Sequence, residues 1–399
     1  MKASRFGRHR IRRPSTAVLA VASCALAIGA SLAGAAGADA ATAVRPAANL
    51  TCGEVISASV TLTGNLHCTG NGLIVSPDND VVLNLGGYTV SGAGTGTGVT
   101  LASADVPYED YTVENGAISG FTTDVFADNV QSATVNDVKL SGDTNAVQAG
   151  SGLSSLDVTG SKITTSTTDF QTTSARFLTE LAVTGTTITG GTDSFTDGLA
   201  TAFYTSDHIT DSALYLNTGG NDQIEDNVFT DSAVREQSSG GQLQITGNEM
   251  DNAAIGLLVQ STGADVISGN TFKNNVIGAE ISETEGIQGD TFSSNTFSGN
   301  KDSGLYIDST LANVGTITSN TVTSNGLAPD GQVDATGHPL IDGIDIDQPI
   351  SGGVSVKGNH TKKDGGFGIW IQEGSVTNGG GNTSTNDPDG CNPHSLCTY

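Results

Sequence analysis

"ISGNTFKNNVIGAEIS" occupies residues 267–282 and "FSSNTFSGNKDSGLYID" occupies residues 292–308. The two stretches follow one pattern. An apolar residue is followed by two small residues, an Asn, and a second apolar residue five places after the first. Another Asn falls eight places after the start, and a phrase led by Gly then alternates apolar and variable residues. The six-residue opening recurs from Val113, Val135, Val158, Val183, Ile209, Ile224, Ile245, Ile267, Phe292 and Ile317, and more weakly from Val356. Most steps are 21 to 26 residues; the step from Ile209 is short and the one from Ile317 is long. A period in the low twenties predicts one turn of a parallel β-helix, built from three short strands and their corners. The chain has no leucine-rich, hexapeptide or calcium-binding nonapeptide pattern, and a β-sandwich would not return one phrase ten times. The expected fold is all-β, a single right-handed parallel β-helix over about residues 50–385.

Asn227, Asn248, Asn270, Asn295, Asn320 and Asn359 hold the fourth place of their repeats, and Asn275, Asn300 and Asn325 form a second column. Stacked coils would set each column about 4.8 Å apart. Amides at that spacing can donate and accept along the stack, which predicts buried asparagine ladders.

The alternating phrases start at Gly256, Gly278, Gly304, Gly343 and Gly368. Period-two alternation sends one set of side chains inward and the other outward. The inward set is apolar throughout, for example Ile344 and Ile346 of "DGIDIDQP" (342–349). The outward set forms two columns. One is Leu258, Glu280, Tyr306, Asp345 and Trp370; the other is Gln260, Ser282, Asp308, Asp347 and Gln372. These columns are expected to be solvent-exposed. They gather the only Trp, a Tyr and four carboxylates on one strip, the composition of a sugar-binding surface. Glu280, Asp308, Asp345 and Asp347 are the candidate catalytic groups, and Tyr306, Trp370 and Gln372 the candidate substrate contacts. The insertion "GLAPDGQVDATGHPLI" (326–341) should protrude beside Asp345 as a cleft wall, with His338 an ordinary exposed loop residue.

The first forty residues read as an export signal. They comprise a basic start, an apolar stretch and "ADA" at 38–40, which suits ordinary cleavage better than lipid anchoring at Cys24. No later stretch is apolar enough to span a bilayer as a helix. Four cysteines follow the signal, and an oxidising compartment favours the local pairs Cys52–Cys68 and Cys391–Cys397 as end staples. Metal-ligand spacing is absent, so no dedicated metal site or cofactor is expected, although acidic coils are compatible with weak surface Ca2+ binding. Of 42 acidic and 16 basic residues, one acidic and six basic fall within the signal, leaving 41 against 10. That surface repels nucleic acid and polyanions.

"TCGEVISASVTLTGNLHCTGNGLIVSPDNDVVLNLGGYTVSG" (51–92) resembles the N-terminal coils of secreted right-handed parallel β-helix repeat proteins common in actinobacteria. "GGFGIWIQEGSVTNGGGNTSTNDPDGCNPHSLC" (365–397) resembles their closing coil and two-cysteine tail, the tail being 386–399. The wider superfamily of pectin-lyase-like folds includes pectate lyases, polygalacturonases and periplasmic proteins that assist copper-enzyme maturation. "DGIDI" (342–346) resembles part of a polygalacturonase motif whose catalytic Asp would be Asp342. Leu340-Ile341 and Gly366-Phe367 depart from the rest of that site, so the match is read as strand-entry chemistry. A lyase would call for a base near its carboxylates, and Arg45, Arg176 and Arg235 are all expected outside the strip. Two functions remain open. One is an exported monomer that binds or hydrolyses a neutral or weakly charged polysaccharide. The other is a non-catalytic envelope or matrix protein.

Overall fold

The computed structural model describes residues 47–399, apart from 77–79, 104–108, 143, 165–166, 173–177, 195–198, 238–240, 261–262, 283–288, 309–314, 335, 348–353 and 373–375. The export signal, Cys24, Arg45 and Arg176 lie outside the described residues. The chain from Arg45 onward forms one compact unit.

The architecture is a parallel β-solenoid. A typical coil has three strands, such as Val266–Ser268, Thr271–Lys273 and Ile277–Ile281. Each pairs in parallel with its counterpart on the next coil: Thr291–Ser293, Thr296–Ser298 and Leu305–Ile307. The first two strands of successive coils join a 27-stranded sheet, and the third strands form a separate 15-stranded sheet. Crossovers between parallel strands of one sheet are right-handed in about 98% of cases.

The corners explain why the repeat has its form. The third residue of each six-residue unit sits in the left-handed region: Asp226 at φ 54°, Gly247 at 69°, Gly269 at 68°, Ser294 at 58° and Ser319 at 59°. Only Gly and short polar residues enter that region cheaply, which is why the third place holds Gly, Asn, Asp or Ser. The sharp turn aims the fourth side chain along the stack. Asn295 shows the result. Its Nδ2 donates to Ile267 O at 2.9 Å and to Asn320 Oδ1 at 3.1 Å, and its Oδ1 accepts from Asn270 N at 2.9 Å and Nδ2 at 3.1 Å. The same bonds link Asn227, Asn248, Asn270, Asn295, Asn320, Asn359 and finally Asn382. The second ladder runs Asn275, Asn300, Asn325, Asp364, Asp387. Every ladder Asn is buried, as expected. Inside them Phe272 stacks on Phe297 at 4.9 Å.

One register needs correcting. Ile209 does not start a repeat. It pairs with Phe229, the sixth place of the next unit, and Tyr204 pairs with Ile224. The unit is therefore "YTSDHI", with Ser206 left-handed and Asp207 in the ladder position, accepting from Thr186 N at 2.7 Å. An aromatic start and an Asp hid it in the sequence.

Both ends carry the expected disulfides, Cys52–Cys68 and Cys391–Cys397. Strand Gly390–Asn392 closes the 15-stranded sheet, and Thr398 bridges to Thr383, so the tail covers the last coil.

Asn295→Ala should destabilise the fold by about 1–3 kcal/mol, because it leaves buried partners on two coils unsatisfied. Chemical denaturation would show this as a lower midpoint. The converse holds at Asp364. Burial, with the like charge of Asp387 adding to it, lifts its carboxyl to about 7 against the bonds from Asn325. A folded pKa above the unfolded one means stability falls as pH rises from about 4 to about 7. Asp364→Asn keeps the accepting oxygen and removes the charge. It should raise the stability by about 1–3 kcal/mol near pH 8, seen as a higher midpoint, and have much less effect near pH 4.

Candidate functional site

The strip forms in the predicted register. Leu258 pairs with Glu280, Glu280 with Tyr306, Tyr306 with Asp345, and Asp345 with Trp370. The column also extends beyond the sequence-derived strip: Tyr215 pairs with Arg235 and Arg235 with Leu258. Arg235 thus stands inside the strip, contrary to expectation, with its guanidinium carbon 5.7 Å from the centre of the Tyr215 ring. It was missed because its strand, "AVRE", lacks the leading Gly that marked the other rungs.

The strip divides into two halves. In the first, Tyr215 is 37% exposed, Gln260 is exposed and bonded to Gln237 at 2.7 Å, and Glu280, Ser282 and Asp308 are partly exposed. Burial raises the Glu280 pKa and the charge of Asp308 raises it further, while Arg235 opposes them. Gln372, in the second half, is also partly exposed.

The second half is otherwise closed, which corrects the expectation for Asp345 and Asp347. Both point away from the coil interior, yet both are 0% exposed, with Tyr306 at 6% and Trp370 at 9%. The insertion is the cause. Instead of standing out as a wall, it folds back over the strip through a Val333–Pro339 bridge and a bond from Leu340 N to Gln332 O. Leu340 packs in an apolar cluster with Tyr306 and Ile277. His338, expected in solvent, lies flat on Trp370, with ring centres 4.0 Å apart and planes 3° apart. Asp334 Oδ1 accepts from the backbone N–H groups of Thr336 and His338 at 2.8 and 2.7 Å and so shapes the turn.

Beneath the insertion lies a cluster of acids around one imidazole. His338 Nε2 and Asp342 Oδ2 are 2.7 Å apart, and Asp342 Oδ1 accepts from Phe367 N at 2.7 Å. A Cβ at Gly366 would meet Asp342 Oδ1 at 2.4 Å and displace that carboxylate from its bond to Phe367 N. Tyr306 donates to Asp347 Oδ2 at 2.9 Å. Burial pushes Asp345 well above the usual carboxylate range, helped by the charges of Asp342, Asp334 and Asp347. Burial would lower His338, but the bond and charge of Asp342 prevail and raise it. One ligand atom each from His338, Asp342 and Asp345 lie within 4.8 Å of one another. Asp342 and His338 were legible as "DGID" and as the His of the insertion. Only the fold-back of the insertion puts them together.

Fold and strip together define a parallel β-helix protein with disulfide-linked ends and a partly covered outward strip. Residues 179–333 match a family described as periplasmic copper-binding protein (NosD), a stretch that ends before Asp334 and His338. Two solved structures from Azotobacter vinelandii are similar in fold. The mannuronan C-5 epimerase AlgE6 A-module is 14% identical over 86% of this chain and 88% of that one, with a TM-score of 0.23. The AlgE4 A-module is 15% identical over 84% and 87%, with a TM-score of 0.25. No curated protein matches the chain. Among the described residues no helix is long and apolar enough to cross a membrane.

Trp370 is the only tryptophan, so its fluorescence reports the cover directly. Native emission should be blue-shifted and resist acrylamide quenching. His338→Ala should shift it to the red and increase quenching. An unchanged spectrum would mean that the insertion does not shield the ring in solution.

Proposed function

We propose that the protein binds a neutral or weakly charged polysaccharide along the open half of the strip, and that Glu280 and Asp308 hydrolyse it. The observation that carries this is Glu280. It is a half-buried carboxyl whose pKa is raised by burial and by the charge of Asp308, and it sits on the same face as Tyr215 and Arg235. A raised acid beside a second carboxylate is the pairing that glycoside hydrolysis needs. Asp308 lies one coil on and two residues along from Glu280, a diagonal of about 7–8 Å between residue positions, which is compatible with a wide carboxyl pair. Carboxyl groups about 6.5–9.5 Å apart leave room for a water and so give inversion. Glu280 donates its proton to the glycosidic oxygen as the bond to the anomeric carbon breaks. Asp308 takes a proton from the water that attacks the opposite face. Tyr215 offers a ring for a sugar to pack on, and Arg235 and Gln260 offer N–H donors to sugar hydroxyls. Asp345, Asp347, Tyr306 and Trp370 are left to hold the covered half rather than to touch a chain.

A non-catalytic surface protein is the second reading. It is favoured by the burial of Asp345, Asp347 and Trp370, which removes half of the expected strip from contact. Incubation of the protein with a polysaccharide panel separates the two. Hydrolysis predicts new reducing ends with inverted configuration, lost by about 10²–10⁴-fold in Glu280→Gln and in Asp308→Asn while binding persists. Tyr215→Ala should weaken binding. Unsaturated ends would replace hydrolysis by elimination, binding without products would favour the second reading, and no binding at all would overturn the polysaccharide assignment.

A further inference from the structure

The acids under the insertion present a problem that the proposed hydrolysis does not solve. Asp342, Asp345 and Asp347 are each 0% exposed and Asp334 is 5% exposed, with His338 the one basic side chain brought among them in the described structure. Burying several carboxylates together is costly unless cations or hydrogen bonds compensate. Asp347 has Tyr306, and Asp342 has His338 and Phe367 N. Asp345 is different. Neither of its oxygens accepts a hydrogen bond of normal geometry, although the Ser303 hydroxyl lies alongside. Asp334 Oδ2 is also buried without a partner.

We infer that His338, Asp342 and Asp345 bind one divalent first-row transition-metal ion, of which Zn2+ is the type. Three donors with atoms within 4.8 Å of one another can close on an ion through small side-chain rotations. Bonds of about 2.0–2.2 Å to N and O ligands put neighbouring donors roughly 3 Å apart. Two of the three are already held. Trp370 fixes the His338 ring plane, and Phe367 N fixes Asp342 by its other oxygen, which leaves Oδ2 facing the imidazole. Such outer bonds are what orient ligands in metal sites. The imidazole selects a transition ion over Ca2+ or Mg2+, which prefer all-oxygen shells. The donors come from the insertion, its end and the following strand, so the ion would pin the insertion to the coil stack. Asp342 and Asp345 would supply two negative charges to match it. The donors lie outside the stretch that matches the copper-binding family, and they include neither Glu280 nor Asp308.

The test uses the purified protein after EDTA treatment, titrated by calorimetry with Zn2+, Mn2+ and Ca2+ and followed by thermal melting. One equivalent of Zn2+ should bind and raise the melting midpoint, with Ca2+ much weaker. Asp345→Asn keeps shape and fold but should weaken Zn2+ binding at least tenfold, as should His338→Gln. Asp251→Asn, a carboxylate paired with Lys273 elsewhere on the solenoid, should bind Zn2+ like the parent chain. Absence of a one-to-one Zn2+ complex, or equal binding by Asp345→Asn, would overturn the assignment. A folded Asp345→Asn protein that is more stable than a Zn2+-indifferent parent would show that Asp345 is simply a neutral carboxyl beside an ion pair. Hydrolysis by the Glu280–Asp308 pair is measured separately, so either proposal can fail without the other.

Discussion

The stacked amide of the ladder asparagine is the interaction on which the rest depends. A solenoid coil has few local contacts of its own, so each turn of the chain must find its register on the coil beneath it. The left-handed residue at the third place turns the chain. The Asn at the fourth place then bonds both to its counterpart and to main chain one coil away. A slip of one residue would put a corner Gly or Ser, or a surface Thr, in the ladder and turn core side chains such as Ile267 and Phe272 out of register. The ladder therefore fixes the register of the 27-stranded sheet and, through the coil length, that of the 15-stranded sheet that carries the strip.

That construction also shapes the site. Residues as distant in sequence as Tyr215 and Trp370 fall into one column, because coils stack at about 4.8 Å whatever the loops between them do. The scaffold thus sets the spacing of functional groups in steps of one coil and two residues, and the side chains supply the chemistry. Where the ladder ends, the same geometry is kept by groups that fit it less well. Asp207 and Asp364 accept the ladder bonds with one oxygen and are pushed up to about 7 by burial, at a cost that the full Asn would avoid.

The insertion at 326–341 turns one strip into two environments. Upstream, Glu280 and Asp308 keep partial access to solvent, and burial and the charge of Asp308 raise the Glu280 pKa. Downstream, Leu340 and His338 close over Tyr306 and Trp370, and the acids there interact with one another and with His338 rather than with water. Outward orientation and exposure are separate properties: Asp345 has the first and not the second.

The sequence by itself determined the coil. Its repeat period, the apolar alternation at 257–259, 279–281, 305–307, 344–346 and 369–371, the asparagine columns and the two cysteine pairs are all local patterns, and stacking preserves them. It failed where a repeat position was filled by an unusual residue, as at Tyr204 and Asp207, or where a rung lacked its marker Gly, as at Arg235. Tertiary structure alone decided what lies over the strip. Nothing periodic governs the path of an insertion, which is set by the apolar cluster around Leu340, the Val333–Pro339 bridge and the stacking of His338 on Trp370. Those contacts, made across the coil face rather than along the chain, bury Asp345 and Asp347 and bring His338 to Asp342.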